Sequence, residues 1–204
     1  MDFELSGITW KGPSIDDPGL LDDLPPELAQ ILGRVNGFVL HGGALHVRGA
    51  VLQPLWHSLR QAWRDPKQSI GALYRLPADA GVPFAQDAIG NQFLLRDGMV
   101  WRLAAETADL ASTDTSLVDF LVSAGRDPQH VIGTAILMRF QSDGNRLTPG
   151  HLLRVRPSLR SDPRGEGGRI DAQPCADLIR IHAKAAREYR GGSDRVRIHL
   201  DVEE

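Results

Sequence analysis

The 204-residue sequence predicts an α+β fold, an antiparallel or mixed sheet with helices packed beside it. Three observations predict it. Residues 90–107, GNQFLLRDGMVWRLAAET, set Phe93 and Leu95 against Gln92, Leu94 and Arg96, and Val100 and Leu103 around Trp101 and Arg102. Between them stands Asp97-Gly98, a pair suited to a two-residue type I′ turn, whose central residues both need positive φ. Helical stripes elsewhere start at a proline or a capping residue and stop at Asn-Gly or Asp-Gly. Strand and helix signals interleave without regular βαβ units, so hairpins join the central strands.

Each element has its own local reason. Residues 11–23, KGPSIDDPGLLDD, read as an extended, capped approach. A helix follows, with Asp23 or Leu24 at its N-cap and Pro25 or Pro26 at the first helical position, where the missing N–H does no harm. Leu28, Ile31, Leu32 and Val35 share one face, and Asn36-Gly37 ends the helix. Residues 38–47 give two short strands around His41-Gly42-Gly43. Residues 54–64 fit a helix, because Leu52, Leu55, Trp56, Leu59 and Trp63 recur at helical spacing. Asp65-Pro66 stops it, since a residue before proline resists the α region. Residues 69–75 form a strand or a turn, residues 77–81 a loop, and residues 82–85 lead into the hairpin.

The second half continues in the same way. Residues 109–115 are polar. Ser116 with Asp119 imitates a capping box, which opens a helix with Leu117, Phe120 and Leu121 inward and Gly125 at its close. Asp127-Pro128 opens another, expected to run to about Gln141 with Ile132, Ala135, Ile136 and Phe140 as its stripe. Residues 149–157 read as loop then strand, with Leu153 and Val155 on one face. Residues 160–169, RSDPRGEGGR, read as a loop. Residues 174–190 form a long helix with Cys175, Leu178, Ile179, His182 and Ala186 near one face. Residues 195–202 alternate cleanly, as a half-buried or edge strand does. The expected organisation is one domain: an irregular segment over 1–23, a core over 24–145, and an extension over 146–204 packed on that core.

Composition narrows the function. A net charge of −3 gives no reason to expect nucleic acid or an anionic membrane as partner. Cys175 is the one cysteine, so no intrachain disulfide forms. The first residues, MDFELSGITWKG, lack the basic start and apolar run of a signal peptide. No apolar stretch approaches the roughly 20 residues that span a bilayer. A cytoplasmic location is the expectation. Charge is uneven: Asp2, Glu4, Asp16, Asp17, Asp22, Asp23 and Glu27 face Lys11 alone over residues 1–27, while residues 139–197 are rich in arginine. These are either solvated surfaces that neutralise each other or an acidic face kept for a basic partner.

Catalytic and ligand motifs do not emerge. The chain has no G-x-S-x-G, Walker A or H-E-x-x-H pattern. GEGG at residues 165–168 lacks the spacing and preceding strand of a dinucleotide fingerprint. Seven histidines (41, 46, 57, 130, 151, 182 and 199) form no Cys/His pair at ligand spacing. His41 and His46 face each other across a short hairpin, but two imidazoles without a third ligand make a poor zinc site. His182 is expected as a hydrogen-bonded core histidine and Cys175 as a small buried hydrophobe. No catalytic residue, cofactor or metal is expected. Trp56 and Trp63, in heptad register with Leu52 and Leu59, are expected in the core. Trp101 is a candidate contact residue on the less buried face of its strand, and Trp10 either docks or lies exposed.

LPPELAQILGRVNG (24–37), FAQDAIGNQFLLRDGMVWRLAAET (84–107) and SLVDFL (116–121) follow one another in an order that resembles the SUKH superfamily, also called the Smi/Knr type. LTPGHLLRVRP with ADLIRIHAKAAREY resembles the C-terminal extension of a subset of bacterial members. The chain departs from the pattern in its polar turn at residues 96–99 and in its charged insertion at residues 160–169. The resemblance implies a strongly curved sheet flanked by helices and used to bind proteins. It also implies an immunity protein that occludes a polymorphic or contact-dependent toxin of nuclease or deaminase type, without chemistry of its own. The alternative is a general adaptor with no toxin partner. On either reading Asp16, Asp17, Asp22, Asp23 and Trp101 are the candidate partner-binding residues.

Overall fold

The computed structural model describes residues 4–159 and 168–193. Seven strands lie side by side in chain order: β1 (Ile8–Lys11), β2 (Phe38–Leu40), β3 (Leu45–Val47), β4 (Val82–Asp87), β5 (Gln92–Arg96), β6 (Met99–Leu103) and β7 (Leu110–Ser116). Every neighbouring pair is antiparallel. The helices are α1 (Pro26–Arg34), α2 (Leu59–Arg64), α3 (Ile70–Tyr74), α4 (Leu117–Arg126), α5 (Pro128–Val131), α6 (Ala135–Ser142) and α7 (Cys175–Ser193). A separate ribbon pairs β8 (His151–Arg156) with β9 (Arg169–Pro174). The fold is α+β.

The Asp97-Gly98 hairpin forms in the expected register. Arg96 pairs with Met99, leaving a two-residue loop in which Asp97 has φ 51° and Gly98 φ 75°. What the alternation does not show is that both sheet faces are covered. Phe93 and Leu95 of β5 enter one core with Leu28, Ile31 and Leu32 of α1 and Phe120 and Leu121 of α4. Leu94 points the other way, into a second core with Tyr74 of α3 and Leu178 and Ala183 of α7. A third cluster joins Ile136, Leu137 and Phe140 of α6 to Leu153 and Val155 of β8. Successive side chains of a strand face opposite sides, so a strand buried on both faces reads as near-continuously apolar, as Phe93-Leu94-Leu95 does.

Several boundaries move, each for a local reason. The segment expected to be irregular over 1–23 supplies β1 and a 3-10 helix, Pro18–Asp23. Helix α2 starts only at Leu59, because the Ser58 side chain accepts a hydrogen bond from the Gln61 backbone N–H and caps it there. Residues 52–58 are therefore turns, the heptad register fails, and Leu52 stands 52% exposed and Leu55 54%. Leu59 is buried, and Trp63 is half-buried against the first core. Ser69 caps α3 by accepting from the Ala72 N–H, so residues 69–75 are helical. The helix expected from Pro128 to Gln141 breaks at Gly133, φ 80°, into α5 and α6, which exposes Ala135 and buries Leu137 instead. Polar residues 110–116 form the outermost strand, β7, bent where Asp114 takes φ 55°.

Helix α4 is capped as expected: Ser116 Oγ accepts from the Asp119 N–H at 3.2 Å and donates to Asp119 Oδ2 at 2.7 Å. The alternating segment 195–202 and all but the last two positions of the loop at 160–169 lie outside the described residues.

Two glycines with positive φ separate backbone strain from crowding. A Cβ at Gly98 meets nothing within 4 Å, whereas one at Gly81, φ 104°, lies 2.5 Å from the Leu95 carbonyl oxygen. Gly98→Ala is expected to cost about 1 kcal/mol, the left-handed penalty of an L-residue, and Gly81→Ala distinctly more. Urea denaturation of the two variants measures the difference.

Candidate functional site

The sheet face beneath α7 carries a polar row. His46 of β3 lies directly opposite Gln86 of β4, and Gln86 directly opposite Gln92 of β5. Arg48, immediately after β3, lies along this row and is 2% exposed. Its Nη2 donates to Gln86 Oε1 at 2.7 Å and to Gln92 Oε1 at 2.6 Å, and its Nη1 donates to the Pro83 carbonyl at 2.8 Å. Burial lowers the guanidinium to about 10, so it is charged at neutral pH. Gln92 donates its own amide to the Gly90 carbonyl at 2.8 Å.

From Gln86 the row continues through two imidazoles. Gln86 Nε2 is 3.3 Å from His46 Nδ1, His46 Nε2 is 2.8 Å from His57 Nδ1, and His57 Nε2 is 3.1 Å from the Asn36 carbonyl oxygen. Both ends fix the direction. Arg48 can only donate, so Gln86 presents its oxygen to Arg48 and its N–H to His46. The Asn36 carbonyl can only accept, so His57 donates from Nε2 and accepts at Nδ1. His46 therefore accepts at Nδ1 and donates from Nε2. Each imidazole is neutral, in one tautomer, with both nitrogens engaged.

Burial agrees with this assignment. Desolvation holds His46 well below its usual value, with the charges of His57 and Arg48 adding to it. Desolvation likewise brings His57 to about 4. Trp10 and Trp56 close over the pair: Trp10 meets His57 edge-on with ring centres 4.9 Å apart, and Trp56 lies 5.0 Å from His46. Trp10 thus docks, and Trp56 is a half-buried cover rather than a core residue. The His57 ring also fills the space beside Gly12 and Gly49, where an added Cβ would come within 2.4 and 2.7 Å of Nε2.

The other histidines separate. His41, in the β2–β3 turn with φ 48°, bonds the Gly125 carbonyl through Nε2 at 2.9 Å, so the expected approach of His41 to His46 does not occur. His182 is buried on α7 as expected, but among the described residues Nε2 finds no hydrogen-bond partner, and Nδ1 is 3.9 Å from Glu106. Burial lowers it to about 4. Cys175 is a free, buried thiol, raised by desolvation. Among the described residues no three His, Cys, Asp or Glu side chains gather as metal ligands, and no helix is long and apolar enough to cross a membrane.

One further buried acid shapes the β4–β5 connection. Asp87 accepts from the backbone N–H groups of Ile89 and Asn91 and from the Asn91 side chain. Burial pushes its carboxyl up to about 6, against those hydrogen bonds.

The candidate partner-binding residues fall into two places. Asp16, Asp22 and Asp23 are exposed on the segment leading to α1. Asp17, expected with them, is 8% exposed and held from both carboxylate oxygens by Arg60, at 2.5 and 2.9 Å, so it fastens this segment to α2. Asp16 Oδ1 accepts from the Leu52 N–H at 2.6 Å, and Asp23 lies 3.7 Å from Arg64. The first of these bonds brings exposed Leu52 beside Asp16. Trp101 stands apart on β6, half-buried, with the Arg96 guanidinium 5.4 Å from its ring centre.

No family model matches the chain, and neither a curated protein nor a solved structure shows significant similarity to it.

The neutral imidazoles make stability depend on pH. His46, His57 and His182 bind protons more readily in the unfolded chain, near 6.5, than in the folded one. Their contribution is complete above pH 6.5 and is lost as pH falls toward 4. Asp87, raised from 3.8 to about 6, acts in the opposite sense and offsets one imidazole between pH 6 and 4. The urea midpoint is therefore expected to drop between pH 7 and pH 4.5, His57 alone contributing about 2 kcal/mol. A midpoint that rises on acidification would refute the neutral assignment.

Proposed function

We propose that this chain is a non-catalytic protein-binding domain of SUKH type, an immunity protein that neutralises a bacterial toxin by covering its active site or substrate groove. The observation that carries the reading is exposed Asp16 held against exposed Leu52, on a segment that also presents exposed Asp22 and Asp23 and is fastened by Asp17 to Arg60. Acids at the rim steer a basic partner into encounter, and a leucine beside one of them gives apolar area to bury. A toxin domain that binds nucleic acid offers such a basic groove, and the carboxylates stand in for its phosphates.

One further feature supports the reading. The Pro-led helix α1, the Asn36-Gly37 turn and the Asp97-Gly98 hairpin follow one another along a bulged antiparallel sheet, in the order that the resemblance implies. His46, His57 and Asp87 are hydrogen-bonded in the interior and serve the structure there.

The test is binding to a candidate toxin domain chosen from the genes that neighbour this one. The double variant Asp22→Lys with Asp23→Lys is expected to fold normally and to lower the association rate about tenfold at low salt, the loss shrinking as salt is raised. Leu52→Ser is expected to speed dissociation. If the wild-type chain leaves that toxin's activity unchanged at saturating concentration, the immunity reading fails.

A further inference from the structure

Above the polar row, between α2, α3 and the first turn of α7, the structure contains a cleft of about 190 Å³. Its walls are Leu55, Trp56, Ile70, Leu73 and Ile179, and Arg48 is among the polar groups that line it. A cavity of roughly 150 Å³ already accepts benzene when its walls are apolar. This cleft holds an aromatic ring or a medium-length alkyl chain.

The charge of Arg48 is the unusual feature. Its acceptors are one backbone carbonyl and two glutamine oxygens, all neutral. The ionisable groups beside it are His46, His57 and Cys175. The hydrogen-bond directions derived above make both imidazoles neutral, and Cys175 is a buried thiol. Buried guanidinium groups ordinarily face a carboxylate, because neutral oxygens solvate the cation without cancelling its charge. These acceptors engage three of its five N–H donors.

The first turn of α7 adds to the same field. Cys175 and Ala176, the first residues of this long helix, line the cleft, and a helix start carries partial positive charge. Two acids stand near this wall: exposed Asp65, which accepts from the Lys67 and Gln68 N–H groups, and Asp177 in the first turn of α7. Asp177 is ion-paired with Arg180, which also lines the cleft and lies 3.5 Å from Gln68 Oε1.

We propose that this cleft binds a small apolar molecule bearing a single carboxylate, the carboxylate meeting Arg48 and the apolar body lying between Trp56, Leu73 and Ile179. The proposal stands apart from the toxin-binding reading, since the acids of that surface take no part in it. A phosphate ester fits poorly, because it calls for several donors at once and the walls are mostly apolar.

Octanoate and benzoate are the probes, with 1-octanol and benzamide as neutral matches. Titration calorimetry, together with the NMR signal of the Trp56 indole N–H, reads both affinity and place. The carboxylates are expected to saturate at roughly sub-millimolar concentration, about tenfold more tightly than the neutral matches. They are also expected to shift the Trp56 signal. Leu73→Trp fills the mouth and is expected to abolish binding while the urea midpoint holds. Arg48→Met is expected to erase the preference for carboxylate. Should that variant fail to fold, Leu73→Trp and the neutral matches decide the matter. Equal affinity for charged and neutral probes, no saturation by either carboxylate, or undiminished binding to Leu73→Trp would each overturn the proposal.

Discussion

A guanidinium buried on a sheet has to be solvated by the protein itself, and Arg48 sets this requirement for the half of the molecule that lies under α7. Its three acceptors come from the Pro83 carbonyl and from side chains on β4 and β5, so the cation holds adjacent strands in one register. A one-residue slip would turn Gln86 and Gln92 to the opposite face and take their oxygens away from the cation. The demand then propagates. Gln86, once committed to Arg48 through its oxygen, can only donate to His46, and His46 passes the same direction to His57 and on to the Asn36 carbonyl. Asn36 in turn accepts from the Ala50 N–H and donates to the Pro13 carbonyl, so the row ends by fastening the N-terminal segment. A network of this kind is costly if any member is missing and specific if all are present.

The apolar layers divide the remaining work. One face of the sheet is sealed by α1 and α4 around Phe93 and Phe120, with ring centres 4.8 Å apart. The other is closed by α3 and α7, and the polar row meets this second layer where α7 begins at Cys175. The cleft lies at that junction. A surface able to bind another protein and a cleft able to take a small molecule thus belong to different parts of one scaffold. Leu55, on the turn that Ser58 ends, belongs to the cleft.

Much of this was legible in the sequence wherever a local rule decided the outcome. The Asp97-Gly98 turn, the Ser116 cap, the proline start of α1 and the inward face of α7 each follow from the chemistry of two or three neighbouring residues. The polar row was not legible, because its members are far apart in the chain and glutamine on a strand looks like a solvent-facing residue. The one available sign was Leu94, apolar on the side that strict alternation would give to water. Helical spacing misled at Leu52, Leu55 and Trp56, where the Ser58 cap starts the helix a turn later than periodicity suggests. Asp17 read as one acid among four, and only the distant Arg60 makes it structural.

The two margins of the sheet have a further consequence. Strand β7 bends at Asp114, whose N–H is taken by Ser112 Oγ, while Thr113 turns its hydroxyl back onto the Val100 carbonyl. At the other margin β1 carries a bulge between Ile8 and Trp10, and Thr9 bonds back to the Val39 carbonyl. Neither border offers a straight ladder of free amides, so a stray chain has little to template upon. Both borders of this sheet are thus shaped against the addition of a further strand.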